Sequence, residues 1–536
     1  MKKIVTEIGS SSDVSSSAVE IKLDDIDSLL NDSKPMVSSD EDAPETDYST
    51  KDKALSIIDE GNTKLPGIYK DVFLDPIKNL LNTTDYTAIL SSWDISDGQP
   101  GKGPWHDWLA SIDQRTINFQ SDETHAFEES LADLYDGFLS MEEGKRIKPP
   151  DFETVSPLAL WGFPKDAPYT WPSDVGVDIG MMMSTVMLPP AYSKNIALWS
   201  SIGHETGGHD ILHAYKGMLD EIGSKVAAKL LELENDPALK GYVVINGRQE
   251  TVARFAAKYW KERIDETASD VCGLLNIGPA AGISLAALLI PLRGGKLVTG
   301  GPSEDVHPID SLRIFLAADV IRNTKELDVN IANTWADLLE SIADKYIENK
   351  SGFYLVSQNL DGQWHVDVAI PYKQMRETIK IVAETIANSP LLTLGDHALS
   401  DVNTWANVDE VLTTRITNNL LDGTEPSLEP GPDGQKVYAA HILAGATIAL
   451  AKSANNMSAT TEMAIKSLNK LYGQNPVWHG LPIRFRSQVS KHNIVPYYGE
   501  KEMPADLRMP KLQKLSAAKS SGERRRRNSR VRKQMK

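Results

Sequence analysis

The stretch SIGHETGGHD, residues 201–210, sets two histidines five positions apart, with a glutamate directly after the first. Each residue of an α-helix turns by about 100°, so side chains five apart point roughly 140° away from one another. His204 and His209 therefore share a face only if the helix widens by one residue between them. Such π-type turns concentrate at functional sites. The intervening Gly207 and Gly208 lower the steric barrier to an irregular turn, and they lower helix propensity as well. This spacing trades helix stability for shape.

A second segment, RIDETASDVCG (263–273), lies in a strongly helical stretch. Glu266 and Asp270 are four apart and so share one helix face. One carboxylate can reach a metal while the other orients a ligand histidine through its free ring nitrogen. Two histidines and one glutamate, with a position left for solvent, make a catalytic zinc set. The same donors hold non-haem iron, so donor type leaves iron or another divalent metal open beside zinc.

Together the two segments resemble the gluzincin metallopeptidases. DETASDVCG is similar to the E-x-x-S-D-x-x-G helix of thermolysin-like enzymes, and HETGGH to the expanded H-E-x-x-G-H helix of the dipeptidyl peptidase III family. The resemblance covers only about residues 195–320. Apolar residues at three- and four-residue intervals along much of the chain predict an α+β, predominantly helical fold with additional helical regions, and the resemblance implies a zincin-like metallopeptidase core within it. It implies one Zn2+ held by His204, His209 and Glu266, with Glu205 as general base and Asp270 supporting a ligand from behind. The implied activity is hydrolysis of peptide bonds in a peptide or protein substrate. Gluzincins commonly supply a His or Tyr after the third ligand to stabilise the oxyanion. Here DVHPIDSLR (305–313) offers His307 for that role, with Arg313 nearby.

Competing readings attach to the same residues. His213 lies four after His209, so that pair converges on a regular helix and could replace His204, which would leave Glu205 without a role. The His209-Asp210 doublet is like that of HD-type metal phosphohydrolases, although no upstream histidine helix accompanies it. A zincin-like core could also bind peptide or act as a scaffold without cleaving. Against that, a closed structural site would call for a fourth protein ligand rather than Glu205. Trp105 and Trp108 either wall a cleft or pack a core. Cys272 reads as a small buried hydrophobe.

Composition bounds the rest. The 536 residues suffice for two or three domains and a large core. A single cysteine and a start without an apolar run suggest a reducing, cytoplasmic setting. The longest apolar stretch, 438–452, is too short to span a bilayer, so no membrane partner is expected. A net charge of -18 argues against a broad nucleic-acid face. That charge is uneven. Residues 1–54 read as a disordered acidic tail, and 519–536 as a disordered basic tail that suits an anionic partner. Between them lie a Trp/Pro-rich region (55–175) and the metal-bearing core (176–325). A helical region (326–518) follows, with a hairpin at 353–370 around an Asp-Gly turn. A cleft between 55–175 and the core is the expected substrate groove.

Overall fold

The computed structural model describes residues 21–475 apart from 68, 97–98, 101–102, 140–154, 163–166, 182, 246–247, 360–361 and 432–433. The fold is α+β and predominantly helical, with 65% helix against 10% strand. Helical periodicity explains this balance. Val252–Glu262, for example, buries Val252, Phe255, Ala256, Tyr259 and Trp260 along one stripe, and Thr251 caps its N-terminus by accepting from the Arg254 amide.

At the centre lies helix Ile264–Ile277, which buries every residue but Asp265. It packs against the histidine segment 202–213 and against helices Pro279–Leu292, Asp310–Arg322, Tyr372–Asn388 and Ala439–Lys452. A helix enclosed on all sides normally reads as apolar throughout. This one carries Glu266 and Asp270, whose burial is tolerable only where partners satisfy them.

The sheets are small. Leu158–Trp161 runs parallel to Thr185–Leu188, and Tyr169–Trp171 pairs antiparallel with the other side of Thr185–Leu188. Among the described residues no strand covers the outer edge of Tyr169–Trp171. Gly352–Gln358 pairs antiparallel with Trp364–Pro371, with an irregularity between Val366 and Val368, and parallel with Gly300–Pro302. Gly362 follows these strands' turn at φ +80°, the left-handed region, while Asp361 lies outside the described residues.

Among the described residues two large apolar cores form, beside a small cluster of Ala110, Leu160 and Met187. One gathers the region that carries Ile57, Phe73, Trp105, Trp108 and Ile112. The other runs from Ile21 to Leu468 and encloses the central helix. Trp105 and Trp108 are fully buried, so they pack a core and wall no cleft.

Within the stretch 1–54, expected from composition to be disordered, Leu23–Val37 forms a packed helix and the next helix, Lys51–Lys64, begins. Helix Leu23–Val37 buries Ile26, Leu29, Leu30 and Ser33 and lies against Pro279–Leu292 and Ala439–Lys452. Those four positions follow the i, i+3, i+4, i+7 pattern of an amphipathic helix. Burying each aliphatic side chain contributes about 1.5–3 kcal/mol, which outweighs the segment's acidic average. Residues 1–20 and the basic segment 519–536 lie outside the described residues. No helix among the described residues is long and apolar enough to cross a membrane.

Candidate metal centre

The helix that carries the histidines begins as α over Ile202–His204, opens to a π turn over Glu205–Asp210 and returns to α over Ile211–His213. The widened turn that five-residue spacing demands is present, and His204 and His209 lie on one face. The glycines serve a different purpose from the one expected of them. None of Gly203, Gly207 and Gly208 adopts positive φ, so backbone freedom is not what they supply. A Cβ at Gly208 would stand 2.4 Å from the Ser269 Cα, and one at Gly203 would stand 2.8 Å from Ile277 Cδ1. Gly273 answers from the central helix, where a Cβ would meet the His204 amide at 3.2 Å. Bare backbone lets the two helices approach closely enough for their side chains to share a point.

That point is defined by three atoms. His204 Nε2 and His209 Nε2 are 3.1 Å apart, and Glu266 Oε2 lies 3.3 Å from the first and 3.7 Å from the second. The two rings stand nearly perpendicular, at 82°. Ligands about 2.0–2.2 Å from a tetrahedral zinc stand roughly 3.3–3.6 Å from each other, so the triangle has the size that a small divalent cation needs. The buried cluster of His204, His209 and Glu266 can hold a metal ion.

The donor chemistry fits as well. His204 Nδ1 is 2.8 Å from Asp270 Oδ1, and His209 Nδ1 is 2.9 Å from Asp265 Oδ1. An ionised carboxylate only accepts, so both Nδ1 atoms carry hydrogen and both Nε2 atoms are free to act as ligands. Two unprotonated nitrogens facing each other would repel, and a cation or a single shared proton between them removes that repulsion. Burial disfavours a charged His204, but hydrogen bonds to Asp270 and Glu266 and the Asp270 charge outweigh it and raise its pKa to about 9. His209 is raised well above its ordinary value, because the Glu266 and Asp265 charges overcome its burial. Burial likewise works against ionised Glu266. The charges of His307 and His209 and hydrogen bonds from His204 and His209 nonetheless hold its carboxyl well below the usual range.

Behind the triad the carboxylates are themselves gripped. Arg313, on helix Asp310–Arg322, donates twice to Asp270, at 2.7 and 2.8 Å. Despite the burial of Asp270, this brings its pKa down to about 2. Asp265 uses its second oxygen to bind His213 Nε2 at 3.0 Å, and His213 Nδ1 is 3.2 Å from Asp174 Oδ2. Burial opposes protonation of His213, yet these two aspartates raise its pKa to about 9.

His209, His213 and Asp265 form a second group of metal-binding size. It would use the Nδ1 of the same His209 ring, and filling both groups at once would require that ring to lose both protons. The groups are therefore alternatives, and the hydrogen bond from Nδ1 to Asp265 favours the first.

Glu205 joins neither group. Its Oε2 accepts from the Thr170 hydroxyl at 2.9 Å, and its own carbonyl is 3.2 Å from the same oxygen. Thr170 is the middle residue of the edge strand Tyr169–Trp171, so the region 55–175 reaches the site through Thr170 and Asp174. His307 also reaches the cluster. Its Nε2 is 3.2 Å from Glu266 Oε1, and Asp305 Oδ1 holds its Nδ1 at 2.8 Å. Buried Arg263 fixes that loop by donating to the carbonyls of His307 and Ser303, at 3.2 and 2.9 Å.

Of the six site residues singled out from sequence, His204, His209, Glu266, Asp270 and His307 are joined by contacts of 3.7 Å or less, while Glu205 follows His204 in the chain and turns its carboxylate to Thr170. Asp210 is fully buried and belongs to neither metal-sized group. Arg313 lies within its helix and grips Asp270 rather than capping a neighbouring element. The Cys272 thiol is buried, and burial pushes its pKa up to about 12. Sequence reasoning missed Asp265, Asp305 and Thr170. The first two had a signal, since each lies within two residues of a singled-out side chain. Thr170 had none. No family model, no curated protein and no solved structure matches this chain.

Proposed function

We propose that this chain is a metal-dependent peptidase with a zincin-like core, and that zinc is the ion it uses. The observation that carries the reading is the division of labour around one point: His204, His209 and Glu266 converge on it, while Glu205, next to His204 in the chain, is held out of the ligand set. A structural site would use a fourth protein ligand instead. A divalent cation held by the triad polarises a carbonyl and lowers the pKa of nearby water toward about 7.

The chain's own side chains supply the remaining tasks. Glu205 takes the proton from the attacking water and returns it to the leaving amine. His307, oriented by Asp305, is the donor for the oxygen that gains charge. The edge of Tyr169–Trp171 that no described strand pairs runs beside Glu205 and suits an extended peptide that adds to the sheet, with backbone hydrogen bonds holding it in place.

The test combines metal analysis with a peptide-library cleavage assay on wild type and Glu205→Gln. Metal in both and cleavage only by wild type supports the peptidase. Metal in both and cleavage by neither makes the site a binding module. Hydrolysis of a phosphate ester that Asp210→Asn abolishes would replace the peptidase with a phosphohydrolase.

A further inference from the structure

Asp107 is fully buried on helix Pro104–Thr116, in the region that precedes the metal centre in sequence. Its Oδ2 accepts from the Tyr169 hydroxyl at 2.7 Å and from the Trp171 indole at 2.5 Å, while its Oδ1 meets His106 Nδ1 at 2.8 Å. A carboxylate taken fully out of water costs several kcal/mol unless its lone pairs are satisfied. Three polar partners occupy both oxygens of Asp107, so hydrogen bonds and not packing alone fix its place.

What those bonds fix in turn follows from strand geometry. Successive side chains of a strand point to opposite faces, so Tyr169 and Trp171 share one face and Thr170 takes the other. The strand is three residues long, pairs among the described residues on one side only, and follows Ala167 and Pro168, which lie outside any strand. Backbone pairing over so short a length defines its rotation weakly. Asp107 pins both residues of one face to a single oxygen, which sets the rotation and aims the third at Glu205.

We propose that Asp107 is a positioning residue of the metal centre: through Tyr169 and Trp171 it turns the edge strand so that the Thr170 hydroxyl holds the Glu205 carboxylate in place. The inference rests on Glu205 acting at a cation held by His204, His209 and Glu266. It adds a line of action, Asp107 to strand to Thr170 to Glu205, that joins two apolar cores.

The experiment uses the full chain loaded with Co2+, whose visible spectrum titrates with pH and reports the ion's surroundings without turnover. Wild type is compared with Asp107→Asn, Tyr169→Phe, Thr170→Val, the conservative Thr170→Ser and the double variant Asp107→Asn/Thr170→Val. Asp107→Asn and Thr170→Val are expected to shift the spectral midpoint in the same direction by about half a pH unit. Cobalt stoichiometry stays unchanged, Tyr169→Phe shifts the midpoint less, and Thr170→Ser restores the wild-type value. The double variant matches Thr170→Val alone, because both changes act on one path. Where a cleaved peptide is in hand, kcat falls about 10- to 100-fold with KM little changed.

An unmoved midpoint in the folded Asp107→Asn and Tyr169→Phe proteins, or shifts that add in the double variant, overturns the positioning role and leaves the peptidase reading standing. Should Asp107→Asn fail to fold, Tyr169→Phe and Thr170→Val decide the matter. Failure of wild type to take up Co2+ overturns the metal centre itself, and this inference with it.

Discussion

The two imidazoles of the cluster leave the same helix and face the same point, yet what stands behind them differs. His204 leans on Asp270, whose side chain is 2% exposed and gripped by two hydrogen bonds from Arg313. His209 leans on Asp265, which is 42% exposed and shared with His213, itself tied to a 40% exposed Asp174. One support is a dry ion pair inside a helical core, and the other is a chain of half-wet groups that ends on the neighbouring region. A buried pair fixes geometry but punishes the loss of either member, whereas an exposed chain is screened and yields. The site is therefore anchored hard through Asp270 and compliantly through the chain that ends on Asp174.

The largest effect expected from this asymmetry is on stability. Arg313→Ala removes both guanidinium hydrogen bonds from buried Asp270, leaving it His204 alone, and should lower the unfolding free energy of the metal-free protein by about 3–5 kcal/mol in urea titrations. Asp265→Asn should lower it by less than about 1 kcal/mol. Equal losses would break the comparison.

Metal affinity should follow the same order with a smaller spread. Asp270→Asn weakens binding about 100-fold and Asp265→Asn about tenfold, measured by competition with a chromogenic chelator. A larger loss from Asp265→Asn would make the exposed side the anchor.

Metal uptake should also release protons. His204 has its pKa raised to about 9 in the metal-free protein and is protonated at neutral pH, whereas a ligand imidazole is neutral. Affinity should therefore rise with pH until about 9. Calorimetry in two buffers of different ionisation heat counts the protons, and a count of zero at pH 7 contradicts the assignment.

The smallest effect concerns His213. Its folded pKa of about 9 lies above the ordinary 6.5. The stabilisation it contributes is complete below about pH 6.5 and fades as pH climbs toward 9. His213→Gln should flatten that part of the Tm profile of the metal-free protein. An unchanged slope would remove His213 from the compliant side.

Much of the cluster was legible because its information is local. The 204/209 spacing demands a widened turn, and the 266/270 spacing puts two carboxylates on one face, whatever surrounds them. Asp265 escaped notice because a residue adjacent to Glu266 lies about 100° around the helix, outside any single-face rule. It reaches His209 only because the glycines bring the two helices so close. Helix Leu23–Val37 was hidden for another reason: average composition conceals a buried stripe of Ile26, Leu29, Leu30 and Ser33 that periodicity would have revealed.

The amino-acid sequence by itself determined the helical character of the chain, the pairing of histidine and carboxylate segments, and the donor types that can meet a divalent cation. These follow from side-chain chemistry and from the 3.6-residue turn, which act over a few positions. Tertiary structure alone decided that Arg313 backs Asp270 across 43 positions, that Thr170 reaches Glu205 across 35, and that Asp107 holds the strand between them. Such partners are chosen by how elements pack, and packing depends on the summed burial of distant surfaces, which no local spacing encodes.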